Sequence, residues 1–455
     1  MMGAWPELRT QEGQGPTRII SPPAPGREQL APAPKRLTRA ASLNALTWVL
    51  DYLVKMLVSL LIVPILVSGL GGTLFGVWQI LWRLVNYLTV ADGKPTDALR
   101  LVISTLQGED HLERKRRSVG SALFVWLLFT PLLAAVGIGL AALAPVFTKV
   151  GADLYPVVRL TCFLLVLNIL LMNLTGLPDA VLRGENLGYK GLGLIAGLNI
   201  LCALLMVGSI LLGFGLVGLA VAQVVVSALT GVVWWVLVKK YVPWFGLDRP
   251  TRTELREFFR LNLWNWAGAL TAILYWSTDV LILGLLASPA TVTVYVLNSY
   301  PATTTISVAS VALSAAAPGL GQLFGQGAFQ RLGAIRRELF ALSWLMATTI
   351  GSTILLCNHS FLSLWVGKDY YAGMIPNLLL VVLMAQAIFI YCDIYYLESS
   401  LRLRDKVVVG ATCALLSIVF AWALTPKFGI PGLCLGLLAG RSAQMVVFPL
   451  LVRSS

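Results

Sequence analysis

Apolar residues fill this chain in long blocks, separated by short polar or glycine-rich turns. Twelve blocks run for about 19–29 residues, long enough as helices to cross a hydrocarbon layer of roughly 30 Å. They fall near 43–67, 73–92, 119–147, 155–181, 190–212, 216–238, 262–286, 291–317, 337–362, 375–398, 406–424 and 430–452. Two further stretches, 96–107 and 251–263, have the period of amphipathic helices. Ala98, Leu99, Val102, Ile103 and Leu106 share a face of the first, and Leu255, Phe258 and Phe259 a face of the second. Thr251 and Glu254 have the spacing of a capping box. Both stretches are expected to lie on the inner membrane surface. Residues 1–41, rich in Pro, Gly, Gln and Arg, read as a disordered cytoplasmic tail.

Composition agrees with the pattern. The chain is 57% hydrophobic and 12% charged, with mean hydropathy +0.80. That is a polytopic membrane protein and not a soluble domain. The net charge of +13 sits in loops beside the apolar blocks, where topology accounts for it without nucleic acid. With the N-terminus inside, inner segments hold 27 of the 34 Lys and Arg, and only Lys149, Lys368 and Lys427 lie outside. This asymmetry predicts an even number of crossings and both termini in the cytoplasm. The basic runs Arg114 to Arg117 and Lys239-Lys240 suit the anionic headgroups of membrane lipids. The six cysteines all fall in apolar blocks and form no C-x-x-C, and the two histidines are far apart. No metal or cofactor is expected.

The chain also repeats itself. Phe214-Gly215-Leu216-Val217-Gly218-Leu219 returns as Phe428-Gly429-Ile430-Pro431-Gly432-Leu433. Gly69-Leu70-Gly71 sits opposite Gly284-Leu285-Leu286, Phe147 opposite Phe361, and Arg116-Arg117 opposite Arg336-Arg337. Similar order at similar offsets predicts two six-helix lobes, 42–240 and 262–455, joined by a linker at 241–261. Each half starts and ends on the same side, so the repeats are parallel, the arrangement that lets two bundles rock about a midplane site.

Charges at membrane depth need a partner or a water-filled cavity. Asp51 and Lys55, four apart in the first block, can pair; they read equally as a structural ion pair or a cation-responsive pair. Gln79, Arg83, Asn86 and Tyr87 form a polar stripe on the second block, and a guanidinium suits phosphate. This stripe reads as cavity lining. Arg159 either lines the cavity or snorkels outward. Arg441, near the middle of the last block, calls for a cavity or an acidic partner. Asp279 is the only charge in the seventh block and the sharpest acidic candidate for ion coupling; Asp51 is a second. Asp393 lies nearer the inner end, within reach of water. The eighth block carries Pro301 and a run of hydroxyls including Thr303, Thr305 and Ser307, read as a wet face rather than as hydroxyls bonded to their own helix. No P-loop is present, and the short external loops carry no cluster of acids, so neither ATP-driven transport by this chain alone nor enzymatic catalysis is expected.

Several runs then carry a resemblance. L-G-G-T-L-F-G-V-W (70–78), Y-L-T-V-A-D-G (87–93), A-L-R-L-V-I-S-T-L-Q-G-E-D (98–110), V-L-R-G (181–184), S-T-D-V-L-I-L-G-L-L-A-S-P-A-T-V-T-V-Y (277–295) and S-F-L-S-L-W-V-G (360–367) look like the O-antigen and capsule oligosaccharide flippases. Those belong to the multidrug/oligosaccharidyl-lipid/polysaccharide exporter superfamily. The resemblance covers about 42–452. It implies an all-α, MATE-like fold of twelve transmembrane helices in two lobes around a V-shaped central cavity. It implies a flippase that carries polyprenyl-diphosphate-linked oligosaccharide to the outer leaflet, often coupled to H+ or Na+, alongside polymerase and assembly proteins. Arg83 and Lys55, then Arg441 and Arg159, would line a basic cavity, and Asp279 matches the acidic position of the seventh helix. Lys94 departs from the pattern, which has a small or apolar residue there. The rival readings are a cation-coupled multidrug exporter and a non-transporting membrane scaffold of a polysaccharide assembly complex. A membrane glycosyltransferase is disfavoured by the bare external loops.

Overall fold

The structure, a computed structural model, describes residues 35–91, 95–106, 112–400 and 403–453. Residues 1–34 of the expected tail and Lys94 lie outside the described residues. Within them the regular structure is helical: α1 Lys35–Asn86, α2 Leu88–Ala91, α3 Pro95–Thr105, α4 Leu112–Thr148, α5 Tyr155–Gly184, α6 Tyr189–Leu211, α7 Gly215–Tyr241, α8 Arg252–Trp276, α9 Thr278–Leu286, α10 Pro289–Ser314, α11 Ala317–Gly325, α12 Phe329–Trp365, α13 Met374–Ser399 and α14 Leu403–Arg453.

Helices α1 and α14 are 52 and 51 residues long, more than twice the ~20 that one crossing needs. Each doubles back at a glycine. Gly71 (φ 74°, ψ 163°) and Gly429 (φ 60°, ψ −133°) hold left-handed backbone angles that a β-carbon disfavours. Beyond Gly429 the second arm of α14 lies directly on the first. A β-carbon at Gly432, Gly436 or Gly440 would strike the backbone of Leu424, Ala421 or Ser417. The spacing of four puts these glycines on one face, and the opposed numbering makes the arms antiparallel. Eight described helices are long and apolar enough to cross a membrane, and two bent pairs, Trp266–Trp276 with Thr278–Leu286 and Pro289–Ser314 with Gly319–Gly325, add two more. With α1 and α14 each supplying two spans, the described residues form an all-α polytopic membrane fold of twelve crossings in two six-helix bundles.

The halves repeat in structure. Helices α4 and α12 are both 37 residues long, and each leads into a short 3-10 turn, Ala152–Leu154 or Lys368–Tyr370, before the next crossing. Gly215 and Gly429, equivalent in the two F-G runs, are both left-handed, φ 53° and 60°. The echo of Gly69-Leu70-Gly71 in Gly284-Leu285-Leu286 does not extend to conformation, since the second turn passes through Ala287 at φ −114°.

Two expectations are corrected. Ala98, Leu99 and Ile103 of α3 do not dip into the membrane surface; they pack on Val119, Ala122, Val181 and Leu182 of α4 and α5. The stretch 251–263 is not a separate surface helix either. The Thr251–Glu254 capping box forms, with the Thr251 N–H donating to Glu254 Oε2 at 2.8 Å, and the helix it starts runs unbroken to Trp276 as the base of the seventh span.

Filling the hairpin contact should be costly. Gly436→Val is expected to destabilise the folded protein by about 1–3 kcal/mol through overpacking against the Ala421 backbone. A lowered thermal unfolding midpoint in detergent checks this, and an unchanged midpoint contradicts it.

Candidate functional site

The seventh span is broken, and the candidate residues gather at the break. Helix α8 stops at Trp276, and α9 starts at Thr278 after a 45° bend. Asp279 lies in the first turn of α9, where the helix end favours a carboxylate. Its Oδ1 accepts from the Val280 N–H at 2.8 Å and its Oδ2 from Tyr295 Oη at 2.7 Å. With the Val280 N–H turned to Asp279, the Trp276 carbonyl lacks the partner that a continuous helix would supply. Arg83 Nη1 donates to it at 3.4 Å. Arg441 Nη2 donates to the neighbouring Tyr275 carbonyl at 2.7 Å. Two guanidinium groups therefore sit at the negative end of α8. Beside them the Tyr87 and Thr278 hydroxyls are 2.5 Å apart.

Arg441 finds no acidic partner among the described residues, contrary to one of the two alternatives expected for it. It is 5% exposed and stacks 4.0 Å from the Tyr275 ring and 5.2 Å from the Trp276 ring, so aromatic faces and a carbonyl hold its charge. Arg159 is not brought to the other bases. It is exposed at the start of α5, 5.8 Å from the Tyr155 ring, the snorkelling alternative. Asp51 and Lys55 do pair, at 2.7 Å, with the Lys55 side chain 53% exposed and that of Asp51 11%. Asn199 Nδ2 adds a bond to Asp51 Oδ1 at 3.4 Å. Asn86 is half-buried beside Arg83. Asp393 does not reach water; it is buried and takes two bonds from Arg336, at 2.7 and 3.3 Å. The hydroxyls of the eighth span take the alternative set aside above, although Thr303 and Ser307 are exposed and Thr304 lines a cavity. Thr303, Thr305 and Ser307 bond carbonyls one turn back on their own helix.

Two cavities flank the first arm of α1. One, of about 300 Å³, is polar in part and lies inside the first bundle, lined by Lys55, Ser59, Gln79, Asn199 and Gln223 among apolar residues. The other, of about 360 Å³, lies between the bundles and is nearly all apolar, with Met56, Leu60, Tyr300, Pro301, Ile354 and Phe361 in its wall. Neighbouring residues of one helix, Lys55 and Met56, thus serve different cavities. Sequence reasoning missed the groups that close the bundles on each other. Pro64 has no N–H, which leaves the Leu60 carbonyl unpaired in its own helix. Trp365 of the second bundle donates its indole N–H there at 2.7 Å. Trp266 does the same for the Val90 carbonyl, near the end of α2. Thr293 Oγ1 donates to the Gly72 carbonyl at 2.5 Å. Pro64 marked the acceptor in the sequence, but nothing local marked the tryptophan.

No protein-family model matches the sequence, and no curated protein matches it either. Solved structures do. A multidrug resistance MATE family transporter of the MOP superfamily, in its inward-facing conformation, matches with TM-score 0.74 at 14% identity, over 89% of this chain and 93% of that one. The chain has the fold of these transporters. The outward-facing conformation of a MATE family transporter matches with TM-score 0.62 at 15% identity, covering 91% and 95%. The lipid II flippase MurJ, in an inward closed conformation, matches with TM-score 0.70 at 10% identity, covering 90% and 87%. The MATE-like fold thus also accommodates a protein described as a lipid flippase.

Trp365→Phe keeps a smaller aromatic ring in place and removes the donor. The Leu60 carbonyl then loses its cross-bundle bond, and stability should fall by about 1–3 kcal/mol. Thermal unfolding reads the loss. The double variant with Pro64→Ala, which restores a helical N–H for Leu60, should lose less.

Proposed function

We propose that this chain flips an anionic lipid-linked oligosaccharide, a sugar chain on polyprenyl diphosphate, from the inner to the outer leaflet by alternating access. The observation that carries the reading is the pair of cavities on either side of α1. One offers a half-exposed ammonium, Lys55, with the amides of Gln79, Asn199 and Gln223. The other offers an apolar cleft. An amphiphile straddling the helix places its diphosphate and first sugars in the polar cavity and its polyprenyl chain in the cleft. Arg83 and Tyr87 hold the break in the seventh span and meet the substrate as the bundles part, with Asn86 alongside. Arg441 supports the same break, and Arg159 takes no part in the cavity.

In this reading the bundles 42–240 and 262–455 are the moving units. The Gly71 and Gly429 turns face outward and both chain ends face the cytoplasm, across the plasma (inner) membrane. Asp279 is the group that exchanges a coupling cation, H+ or Na+, and Asp51 tunes Lys55 through their ion pair. A second reading, export of small molecules, draws support from the likeness to a multidrug MATE transporter and from the aromatic wall of the cleft. The ammonium in the polar cavity disfavours organic cations.

Lipid mass spectrometry on a strain lacking this protein tests the function. Polyprenyl-diphosphate oligosaccharide should accumulate on the inner leaflet while surface polysaccharide is lost. Unchanged lipid-linked pools with new drug sensitivity would favour export. Lys55→Gln/Asp51→Asn, which removes the ammonium without leaving the buried Asp51 carboxylate unpaired, should cut flipping at least tenfold at normal abundance of the folded protein. Asp279→Asn should leave residual transport that no longer responds to the ion gradient; a preserved gradient response would remove Asp279 from the coupling step.

A further inference from the structure

Three lysines that this transport cycle does not use meet at one end of the first bundle. Lys190 lies in the first turn of α6, and Lys239 and Lys240 in the last turn of α7. All three are exposed. Folding sets them on an aromatic floor. Lys190 Nζ is 5.1 Å from the ring centres of both Tyr189 and Tyr241, and Lys240 Nζ is 5.5 Å from Tyr241. Lys239 Nζ is 5.4 Å from the Trp235 ring and 5.5 Å from that of Phe245. Lys190 and Lys240 therefore share one ring although they come from different helices. Among the described residues no carboxylate forms an ion pair with any of the three, whereas nearby Lys115 and Arg183 pair with Glu185 and Asp179. Like charges converging without a carboxylate repel one another, and the site is complementary to an anion.

The approach to these lysines is apolar. Leu229, Val232, Trp235 and Val236 of α7 are all exposed. Steps of three and four residues align them in one stripe that ends at Lys239 and Lys240. An apolar stripe crowned by ammonium groups has the profile of a phospholipid, acyl chain below and phosphate above.

We propose that this face is a binding site for an anionic phospholipid. The acyl chain lies along Leu229, Val232 and Val236, and the phosphodiester sits among Lys190, Lys239 and Lys240. A soluble phosphate would use the lysines but leave the stripe without a role. The site adjoins the segment that joins the bundles. Within that segment the Trp244 carbonyl accepts from Arg116 Nε at 2.8 Å, and the Trp244 ring lies 5.4 Å from Lys115 Nζ. A lipid held here fixes the first bundle's end of the connection, so membrane charge bears on how the bundles move. The site is independent of what the protein transports.

Native mass spectrometry of the full chain from nanodiscs of phosphatidylcholine and phosphatidylglycerol tests it. The wild type should retain phosphatidylglycerol. Lys190→Gln/Lys239→Gln/Lys240→Gln should bind it about a hundredfold more weakly, and Lys190→Gln alone about fivefold. Lys149→Gln/Lys368→Gln/Lys427→Gln removes equal charge from exposed lysines elsewhere and should bind as the wild type does. Retained phosphatidylcholine, equal in all variants, reports that each is folded. The proposal is overturned if the first triple variant keeps phosphatidylglycerol, if the control loses as much, or if inorganic phosphate displaces the lipid.

Discussion

A helix carbonyl left without its N–H has no water to turn to inside a membrane. The contact between the two bundles is built on that constraint. Pro64 frees the Leu60 carbonyl, the Val90 carbonyl lies near the end of α2, and the break after Trp276 frees that residue's own. Each is taken by a donor from the opposite bundle: the Trp365 indole, the Trp266 indole and the Arg83 guanidinium. Side chains reaching to main-chain oxygens thus join the bundles, beside the apolar clusters that Ile80, Leu297 and Leu362 share with the opposite bundle. Such acceptors carry no net charge, so none of these joins is itself an ion pair.

These bonds are distributed unevenly. The second arm of α1 is tied to the second bundle along its length. Gly72 accepts from Thr293, Gly76 lies against the Pro289 carbonyl with no room for a β-carbon, and Arg83, Tyr87 and Val90 continue the seam. The first arm is bonded across by the Trp365–Leu60 contact toward the Gly71 end, and the apolar cleft lies beside it. Among the described residues the cleft borders the arm with the fewer ties, where separation breaks the fewer bonds. Two arms of one helix, turned back at one glycine, thus have different mechanical roles.

The broken seventh span also decides how its charges are held. A continuous helix would have kept its carbonyls at Tyr275 and Trp276, leaving Arg441 to find an anion. The break provides a helix C-terminus for two arginines and a helix N-terminus for Asp279 within a few residues. Arg441 is held by a carbonyl and two rings, with its Nε left unbonded among the described residues, where a cavity or an acid was expected.

Much of the architecture was legible in the sequence. Block length fixed the number of crossings, because hydrocarbon thickness sets helix length irrespective of packing. The F-G-x-x-G-L repeat marked the equivalent left-handed turns at Gly215 and Gly429, and the spacing of Asp51 and Lys55 marked their ion pair, because both are local. Tertiary structure decided the rest. The face of α3 that looked suited to a membrane surface is buried on α4 and α5, since periodicity reports an apolar face and not what covers it. The break at Ser277, the indole donors and the separation of Lys55 from Met56 into different cavities depend on partners distant in the chain. A sequence shows which groups must be satisfied; only the packed fold determines which distant residue is near enough to do it.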